Sequence, residues 1–368
     1  FTNCQKVIIA RVLMKKIAYI PTSNYSKNLG YDLRNIILFS KIKKVKLHIF
    51  KENQEYDYLV LPPTFDISNT NWLRNRKEKI IYQLVDDYFS ENESDFKNLF
   101  RGLYKYLKNE HKNIIFNYKK KLEEICKISD VVICASKEQK SKISKINKNI
   151  KIFFEGNFKN VKRYKKDFKT GKVFKIIWEG RCENISSLSV FYPAFKKLIK
   201  KNNIELHIVS DFEIKRLFSL ADYKSLLIIK KIFKDEFSPN TTFKKSKVFF
   251  HQWSLSFVNH MICNSDLAII PSNENNNFEK GRSNNKLMMF MRNRIPVLTS
   301  KINSCEIIFK DININACCSS THQWVAKVQN LINSQNLRKK YAINGFEHVK
   351  NNFGKKQFIK QWEDLFQI

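Results

Sequence analysis

Short apolar runs alternate with longer stretches of helical periodicity in the first half of the chain. The runs predict strands over residues 16–20, 45–50, 56–61, 79–85 and 130–135, and a weaker one over 151–154. Between them the spacing predicts helices over 31–41 and in a long segment around 104–128, where Ile114, Tyr118, Leu122 and Ile125 recur at helical intervals. Strands that alternate with helices in this way predict a parallel sheet covered by helices.

The same alternation restarts after a polar, basic segment over 159–172, which is typical of a linker. It predicts strands over 173–178, 204–209, 248–251, 266–270 and 296–299, and helices over 187–200, 255–264 and 285–292. Two successive halves of similar size indicate an α/β protein with two facing Rossmann-like domains.

The domain boundaries follow from these patterns. We place the first domain over 14–165, the second over 166–345 and a last helix over 346–368. That helix carries an apolar stripe through Phe358, Trp362 and Phe366 and is expected to cross back onto the first domain. Residues 1–13 precede a Met14-Lys15-Lys16 run that leads straight into the first strand, so we expect them to be a disordered or non-native leader.

Charge changes this picture by suggesting partners. No stretch approaches the roughly 20 consecutive apolar residues that a membrane span requires. Lys and Arg number 67 against 34 Asp and Glu, and a formal charge of +33 favours anionic membranes, nucleic acids or phosphorylated ligands. A solvated lysine surface without a partner is an equally good interpretation. The eight cysteines form no CxxC pair and no zinc-finger spacing, which indicates free thiols in a reducing compartment.

The strongest candidate for chemistry lies between the strands over 266–270 and 296–299. A polar loop ends in Ser283, Asn284 and Asn285 at the start of a helix, and Lys286 follows in its first turn. Such a helix end carries unpaired N–H donors and positive partial charge, so it is suited to bind phosphate. An ordinary helix cap with Lys286 in solvent is the alternative.

A second candidate is Gly180-Arg181, at the predicted end of the first strand of the second half. Glycine there allows close approach of backbone to a ligand, and Arg181 can reach a phosphate. The segment lacks the GxGxxG fingerprint, which disfavours NAD binding. A plain strand-to-helix turn would look the same.

Together these segments resemble the donor half of GT-B-fold glycosyltransferases of the glycosyl transferases group 1 (family 4-like) class. The resemblance implies that Gly180, Arg181 and the residues from Ser283 to Lys286 face the donor diphosphate. The sequence departs from the family's Glu-x7-Glu pair, because Gly281 and Met289 occupy those places, and Asn293 or Arg294 replaces the usual glycine before Ile295-Pro296-Val297.

The resemblance also implies roles elsewhere. In the first domain, Asn28 and Gly30 belong to a loop that this class directs into the cleft, although a plain loop is the alternative. In the second, Asp211 and Trp253 lie where the fold holds the nucleotide base, by hydrogen bonding and stacking respectively.

Two first-domain residues are candidate proton acceptors. Asp87 closes a predicted strand, but a carboxylate there fits a helix cap better than a catalytic base. His111 is a candidate cleft base, with a solvent-facing helical histidine as the favoured alternative. Together with Arg181 and Lys286, these residues form the predicted catalytic set.

The resulting hypothesis is a glycosyltransferase that moves a sugar from a nucleotide-sugar to a hydroxyl of a glycan or lipid-linked acceptor in bacterial envelope synthesis. We expect this enzyme to retain configuration, with inversion as the open alternative, and to need no cofactor. No DxD triplet flanked by apolar strand residues is present, which favours chemistry without a metal. The free thiols and the charge favour the cytoplasm, with the inner face of the plasma membrane as a candidate partner. A catalytically inactive relative that binds nucleotide-sugars or glycans remains an alternative. A nucleic-acid binder is disfavoured because no recognised motif is present and arginine is scarce relative to lysine.

Overall fold

The computed structural model describes residues 14–21, 31–90, 95–155, 164–214, 223–237, 246–273, 277–281 and 283–368. The predicted leader over 1–13 and the loop residues Asn28 and Gly30 lie outside the described residues. Among those described, no helix is long and apolar enough to cross a membrane.

The first domain is a parallel sheet of six strands with helices packed on it. Its strand order is β2-β1-β3-β4-β5-β6. The strands are β1 (Lys15–Tyr19), β2 (Val45–Ile49), β3 (Tyr58–Leu61), β4 (Lys79–Leu84), β5 (Val131–Cys134) and β6 (Ile150–Ile152). The helices are α1 (Tyr31–Phe39), α2 (Asp95–Leu107), α3 (Tyr118–Ile128) and α4 (Lys137–Ile143). All six predicted strands are confirmed to within two residues at either end.

The predicted long helix around 104–128 is wrong in its middle. The chain leaves helical geometry after Leu107, and Asn109 adopts a left-handed φ of 55°. Asparagine tolerates this conformation and commonly terminates helices. A new helix begins only at Tyr118, where the Asn117 side chain accepts a hydrogen bond from the Lys120 N–H. Ile114 therefore lies in a connecting loop, although its spacing to Tyr118 fitted a helix.

The second domain contains another six-stranded parallel sheet, of order β11-β8-β7-β12-β13-β14. Its strands are β7 (Phe174–Glu179), β8 (Ile204–Ser210), β11 (Val248–Gln252), β12 (Leu267–Ile270), β13 (Val297–Ser300) and β14 (Cys317–Cys318), and β9 (Glu213–Ile214) pairs with β10 (Tyr223–Lys224) apart from the sheet. The helices are α5 (Tyr192–Leu198), α6 (Ser225–Phe233), α7 (Leu255–Cys263), α8 (Asn277–Lys280), α9 (Asn285–Arg292), α10 (Asn303–Asp311), α11 (Thr321–Asn333) and α12 (Gln335–Asn352).

The helix predicted over 187–200 starts later than expected. The segment Cys182–Val190 is a 3₁₀ helix, and α-helical geometry begins at Tyr192, with Pro193 in the first turn. Proline fits that position because the first N–H groups of a helix have no intrahelical partner.

The last helix, α13 (Lys355–Phe366), belongs to the second half of the chain but packs on the first domain. Trp362 is 1% exposed, and its ring centroid lies 4.5 Å from that of Phe39. The Tyr58 hydroxyl donates to the Phe366 carbonyl oxygen at 3.1 Å. The predicted crossover of the C-terminal helix is confirmed.

The sheet orders decide where a ligand can bind. When the six strands of the second sheet are numbered by their order along the chain, their order across the sheet is 3-2-1-4-5-6. The order therefore reverses between β7 and β12. In the first domain it reverses between β1 and β3. Ligands of open parallel sheets bind beyond the carboxyl ends of the strands at such reversal points.

Candidate functional site

A cavity of about 400 Å³ lies between the two domains, at the reversal point of the second sheet. Residues at the carboxyl ends of β7 and β12 form one wall, among them Trp178 and Pro271, and the start of α9 forms the floor. The first domain contributes Val85, Asp86 and Glu155. The predicted phosphate-binding helix end therefore opens into an interdomain crevice.

The N-terminus of α9 has no side-chain cap. Asn284 occupies the cap position, but its side chain is engaged elsewhere. Its Nδ2 donates to the Ser304 carbonyl oxygen at 3.1 Å, and the Ser304 hydroxyl donates to its Oδ1 at 3.0 Å. Because the side chain is held by α10, it leaves the N–H groups of the first turn uncapped at the cavity, where the positive end of the helix favours an anion.

Lys286 and Gly180 meet at this cavity. The Lys286 Nζ lies 4.9 Å from the Trp178 ring centroid. A Cβ atom added to Gly180 would lie 2.8 Å from that Nζ and 2.7 Å from the Trp178 ring. Only glycine at 180 therefore leaves room for the lysine to sit between the turn and the indole.

Arg181 also lines the cavity, but its side chain is mostly exposed. Its Nε lies 3.1 Å from Glu183 Oε1 in an ion pair at the surface. Such an exposed pair contributes little to stability, so the guanidinium can turn to an incoming phosphate at small cost.

Glu155 is a cavity residue that sequence reasoning missed. It follows β6 and lies on the cavity wall together with Ser283 and Asn285 of the second domain. Burial raises the pKa of Glu155 and outweighs the opposing influence of the nearby Ser283 and Asn285 side chains. The one available signal was its position at the carboxyl end of a strand. The first domain thus places an acid against the predicted phosphate-binding loop.

No family model matches the chain, and no curated protein matches it. Solved structures do. TarM matches with a TM-score of 0.57 at 15% identity, over 84% of this chain and 55% of TarM, so this chain spans about half of that protein's length. Phage T4 BGT in complex with UDP and Mn²⁺ matches with a TM-score of 0.53 at 14% identity, over 96% of this chain and 100% of BGT. A putative UDP-N-acetylglucosamine 2-epimerase from Listeria monocytogenes matches with a TM-score of 0.51 at 9% identity, over 96% of this chain and 97% of the epimerase.

The chain has the GT-B fold. This confirms the predicted fold class, whereas membership of the group 1 family is not shown by structural likeness at such low identity. In GT-B terms, the first domain is the predicted acceptor side and the second the predicted donor side. The crevice with α9 at its floor lies between them.

Asp87 does not line the cavity, whereas its neighbour Asp86 does. Asp87 is 1% exposed, and its Oδ2 lies 2.8 Å from Lys142 Nζ. A Cβ atom on Gly281 would come within 2.0 Å of the same carboxylate, so the second domain packs directly on it. Asp87 thus forms an ion pair at the domain contact and is not a base open to the crevice, and its predicted role as a helix cap stays a prediction.

His111 lies in a different place from that predicted. It follows α2 in a loop and is 4% exposed, so it is not a solvent-facing helical residue. Its Nδ1 lies 3.1 Å from Asp66 Oδ1. Burial raises the pKa of Asp66, but hydrogen bonds from His111, Ser68 and Lys112 together hold it well below its usual range.

The cavity beside His111 is distinct from the crevice at α9. It measures about 1040 Å³ and lies at the β1–β3 reversal point, against Pro21, Trp72 and Tyr106. None of its lining residues lines the interdomain cavity. The structure therefore separates His111 from Lys286 and Arg181.

Asp211 and Trp253 lie at the carboxyl ends of β8 and β11 but do not line the interdomain cavity. The Trp253 Nε1 donates to Glu179 Oε1 at 2.9 Å. The Asp211 carbonyl oxygen accepts a hydrogen bond from the Ser225 hydroxyl. Their proposed contact with a base stays a prediction.

The two positions of the family's glutamate pair hold a methionine and a glycine in this chain, and the structure shows how each is packed. Met289 is buried in the core, and Gly281 packs on Asp87. Glu279 does line the cavity, and its Oε2 accepts a hydrogen bond from the Asn273 N–H at 2.7 Å. Within the described part of the chain, no group of three or more His, Cys, Asp or Glu side chains is placed to hold a metal ion.

A larger cavity, of about 1590 Å³, lies elsewhere in the second domain. It runs between residues 164–172 and α7, beside Lys175 and Asp266 at the amino ends of β7 and β12. Since ligands of this sheet type bind at the opposite edge, we do not assign the reaction to it.

Proposed function

We propose that the protein transfers a sugar from a nucleotide-sugar donor to an acceptor hydroxyl. The observation that carries the proposal is the uncapped start of α9, which opens with Lys286 and Arg181 into a crevice between two GT-B domains. A nucleoside diphosphate is the ligand class that suits such an end. The similar T4 BGT structure holds UDP, and another holds UDP-glucose, so a UDP-sugar is our first candidate.

The proposed chemistry depends on stabilising the leaving group. The acceptor oxygen forms a bond to the anomeric carbon as the bond from that carbon to the diphosphate breaks, and the negative charge passes to the diphosphate. Lys286, Arg181 and the α9 N–H groups offset that charge as it develops. Closing the crevice around the donor excludes water and thereby suppresses hydrolysis.

The acceptor proton needs a carboxylate or imidazole close to the sugar. Asp86 and Glu279 lie on the cavity wall, one from each domain, and we propose them as proton acceptors or sugar contacts. Asp87 and His111 are held in pairs with Lys142 and Asp66 outside the crevice, which favours structural roles for both.

We further propose that the acceptor is a glycan or lipid-linked hydroxyl of the bacterial envelope and that transfer takes place in the cytoplasm, retains configuration and needs no metal. Support for these finer points comes from the sequence: the family resemblance, the absence of a DxD triplet, the free cysteines and the positive charge. Asp211 and Trp253 remain our proposed base contacts, because Asp211 follows β8, the neighbour of β7, and Trp253 follows β11, the next strand of the sheet.

Two alternatives would use the same crevice. A catalytically inactive relative would bind a nucleotide-sugar without transfer, and the missing glutamate pair favours it. Epimerisation is the second, because a putative UDP-sugar epimerase shares the fold over 96% of this chain.

A thermal-shift screen against UDP-, GDP-, TDP- and CMP-sugars, with and without Mn²⁺, identifies the donor, since a ligand that binds the native state raises the melting temperature. Mass spectrometry of the stabilising donor with envelope lipids then separates transfer from hydrolysis and epimerisation. Stabilisation by no nucleotide-sugar would contradict the proposal, and stabilisation without any product would favour the inactive relative.

A further inference from the structure

Helix α2 presents its apolar side to solvent and its polar side to the protein. Leu99, Leu103, Tyr106 and Leu107 recur at helical spacing and share one face. Leu99, Tyr106 and Leu107 are each more than a third exposed. Amphipathic helices of globular proteins normally have the opposite orientation.

Contacts made by the inward-facing residues hold α2 in this orientation. The buried Asn98 accepts a hydrogen bond from the Lys119 N–H at 3.1 Å. A Cβ atom on Gly102 would come within 1.8 Å of the Ile115 carbonyl oxygen, so the backbones of α2 and the following loop are in close contact. The Lys105 Nζ donates to Glu110 Oε2 at 3.0 Å. These contacts fix the apolar side outwards.

The loop after α2 lies beside the helix, because the Ile115 backbone contacts Gly102, and it carries two further exposed apolar side chains. These are Ile114 and Phe116, and Phe116 is exposed to 75% of its area. We call Leu99, Leu103, Tyr106, Leu107, Ile114 and Phe116 the α2 apolar face. Exposed apolar side chains grouped on one part of the chain in this way mark an interaction surface.

The charges around the α2 apolar face select the partner. Residues 99–121 contain seven Lys and Arg and a single acidic residue, Glu110, which already pairs with Lys105. Lys108, Lys112 and Lys120 are exposed beside the apolar side chains. A second copy of a chain with charge +33 would be repelled from this surface, whereas an anionic bilayer attracts lysines and accepts apolar side chains.

We propose that the α2 apolar face and its lysines form a docking surface for an anionic lipid bilayer. Tyr106 and Leu107 also line the first-domain cavity beside His111. Docking through α2 therefore brings the mouth of that cavity to the lipid surface. The docking itself does not depend on the proposed sugar transfer, because it is measured on vesicles that carry no acceptor.

The test is flotation of the full chain with phosphatidylcholine vesicles, with and without phosphatidylglycerol. We expect binding to the phosphatidylglycerol vesicles that weakens as salt rises. The double variant Leu107→Ser/Phe116→Ser should lower the partition coefficient about tenfold or more, because two apolar side chains no longer enter the interface. Both positions are exposed, so the melting temperature should stay close to that of the wild type.

The matched control is Leu227→Ser on α6 of the second domain, where the leucine is 63% exposed, between Leu107 at 41% and Phe116 at 75%; this variant should float like the wild type. Lys108→Gln/Lys112→Gln tests the charge separately and should also weaken flotation. The inference is overturned if the wild type does not float with phosphatidylglycerol, or if the double variant floats equally well. A concentration-dependent dimer that Leu107→Ser/Phe116→Ser abolishes would overturn it too, because the surface would then serve a second copy.

Discussion

At the scale of single residues, the candidate site depends on the space around the Lys286 ammonium group. Gly180 leaves that space, and Trp178 provides the aromatic surface beneath the charge. The indole face attracts a cation, and the attraction is stronger where water is excluded from the pair. The lysine is therefore held near the α9 N-terminus before any ligand arrives.

Replacing Gly180 by alanine should displace Lys286. The new Cβ would lie 2.8 Å from Nζ and 2.7 Å from the indole, so one of them must move. We expect UDP affinity to fall about tenfold or more, which isothermal titration calorimetry would measure. Gly171→Ala is the matched control, because no atom lies within 4 Å of its added Cβ and affinity should not change. Equal affinity in the Gly180→Ala protein would contradict the assigned position of Lys286.

Lys286→Gln removes the charge while keeping most of the side-chain length. A charge-assisted hydrogen bond to a phosphate contributes about 1.5–3 kcal/mol, so donor affinity and turnover should fall roughly 10- to 100-fold. Lys310→Gln, an exposed lysine on α10 away from the crevice, serves as the control. Wild-type transfer rates in the Lys286→Gln protein would argue against the proposed role in leaving-group stabilisation.

Two histidines make folding stability pH-dependent. His207 Nδ1 lies 3.0 Å from His251 Nε2, between β8 and β11. Burial, together with the nearby charge of Lys175, lowers the pKa of His207 to about 4, and burial, together with His207, lowers that of His251 to about 4. Since the usual pKa is about 6.5, the unfolded chain binds more protons between these values.

Stability should therefore be complete above pH 6.5 and fall as the pH drops towards 4. For His207 alone the loss is on the order of 3 kcal/mol, from about 1.4 kcal/mol per pKa unit. Urea unfolding at a series of pH values would measure it. His251→Phe should flatten the dependence, and an unchanged slope in that variant would show that the pair does not cause it.

Local sequence patterns pointed to residues that the structure places at one cavity. They did not point to the residues that reach this cavity from the other domain. Ser283, Asn285, Lys286, Gly180 and Arg181 do converge on one cavity. Glu155 reaches it from the other domain, and its position after a strand was the one local signal. Arg294 occupies the position where the family usually has glycine, because its φ is left-handed at 54°. Its guanidinium carbon lies 4.1 Å from the ring centroids of both Tyr164 and Phe346, a contact that the family motif did not predict.

At the scale of elements, α13 joins the domains. Its aromatic side chains enter the core of the first domain against β1, β3 and α1, with Phe358 and Trp362 around Phe39. The helical stripe at the end of the sequence predicted this packing, because apolar residues at that spacing need a surface to cover them. The segment around 104–128 had the same spacing, but Asn109 interrupts it.

Trp362→Ala should destabilise the protein by about 3–5 kcal/mol, the cost of emptying a large buried aromatic site. Chemical denaturation would measure the loss, and hydrogen exchange of α1 should accelerate because Trp362 packs against its Phe39. Lys360→Ala on the exposed side of the same helix should change stability by less than about 0.5 kcal/mol. A Trp362→Ala protein as stable as the control would show that α13 is not needed to hold the first domain.

At the scale of the whole molecule, parallel sheets and their reversal points determine where function resides. Periodicity alone predicted the six strands of the first sheet and five of the six strands of the second, because buried parallel strands appear as continuous apolar runs, but it missed the two-residue β14. It could not predict how closely the domains meet. The Ser136 hydroxyl donates to the Gly281 carbonyl oxygen at 3.0 Å, and Asn303 Nδ2 donates to Glu138 Oε1 at 2.7 Å, which places the loop before α9 against α4.

Hydrogen exchange with and without UDP tests the central claim most directly, because it reports which backbone amides a nucleoside diphosphate covers. We expect slowed exchange in peptides covering Ser283–Leu287 and residues 179–181, together with Val85 and Asp86 across the crevice. Absence of any protection at Ser283–Leu287, or protection confined to the first-domain cavity around Asp66 and His111, would contradict it.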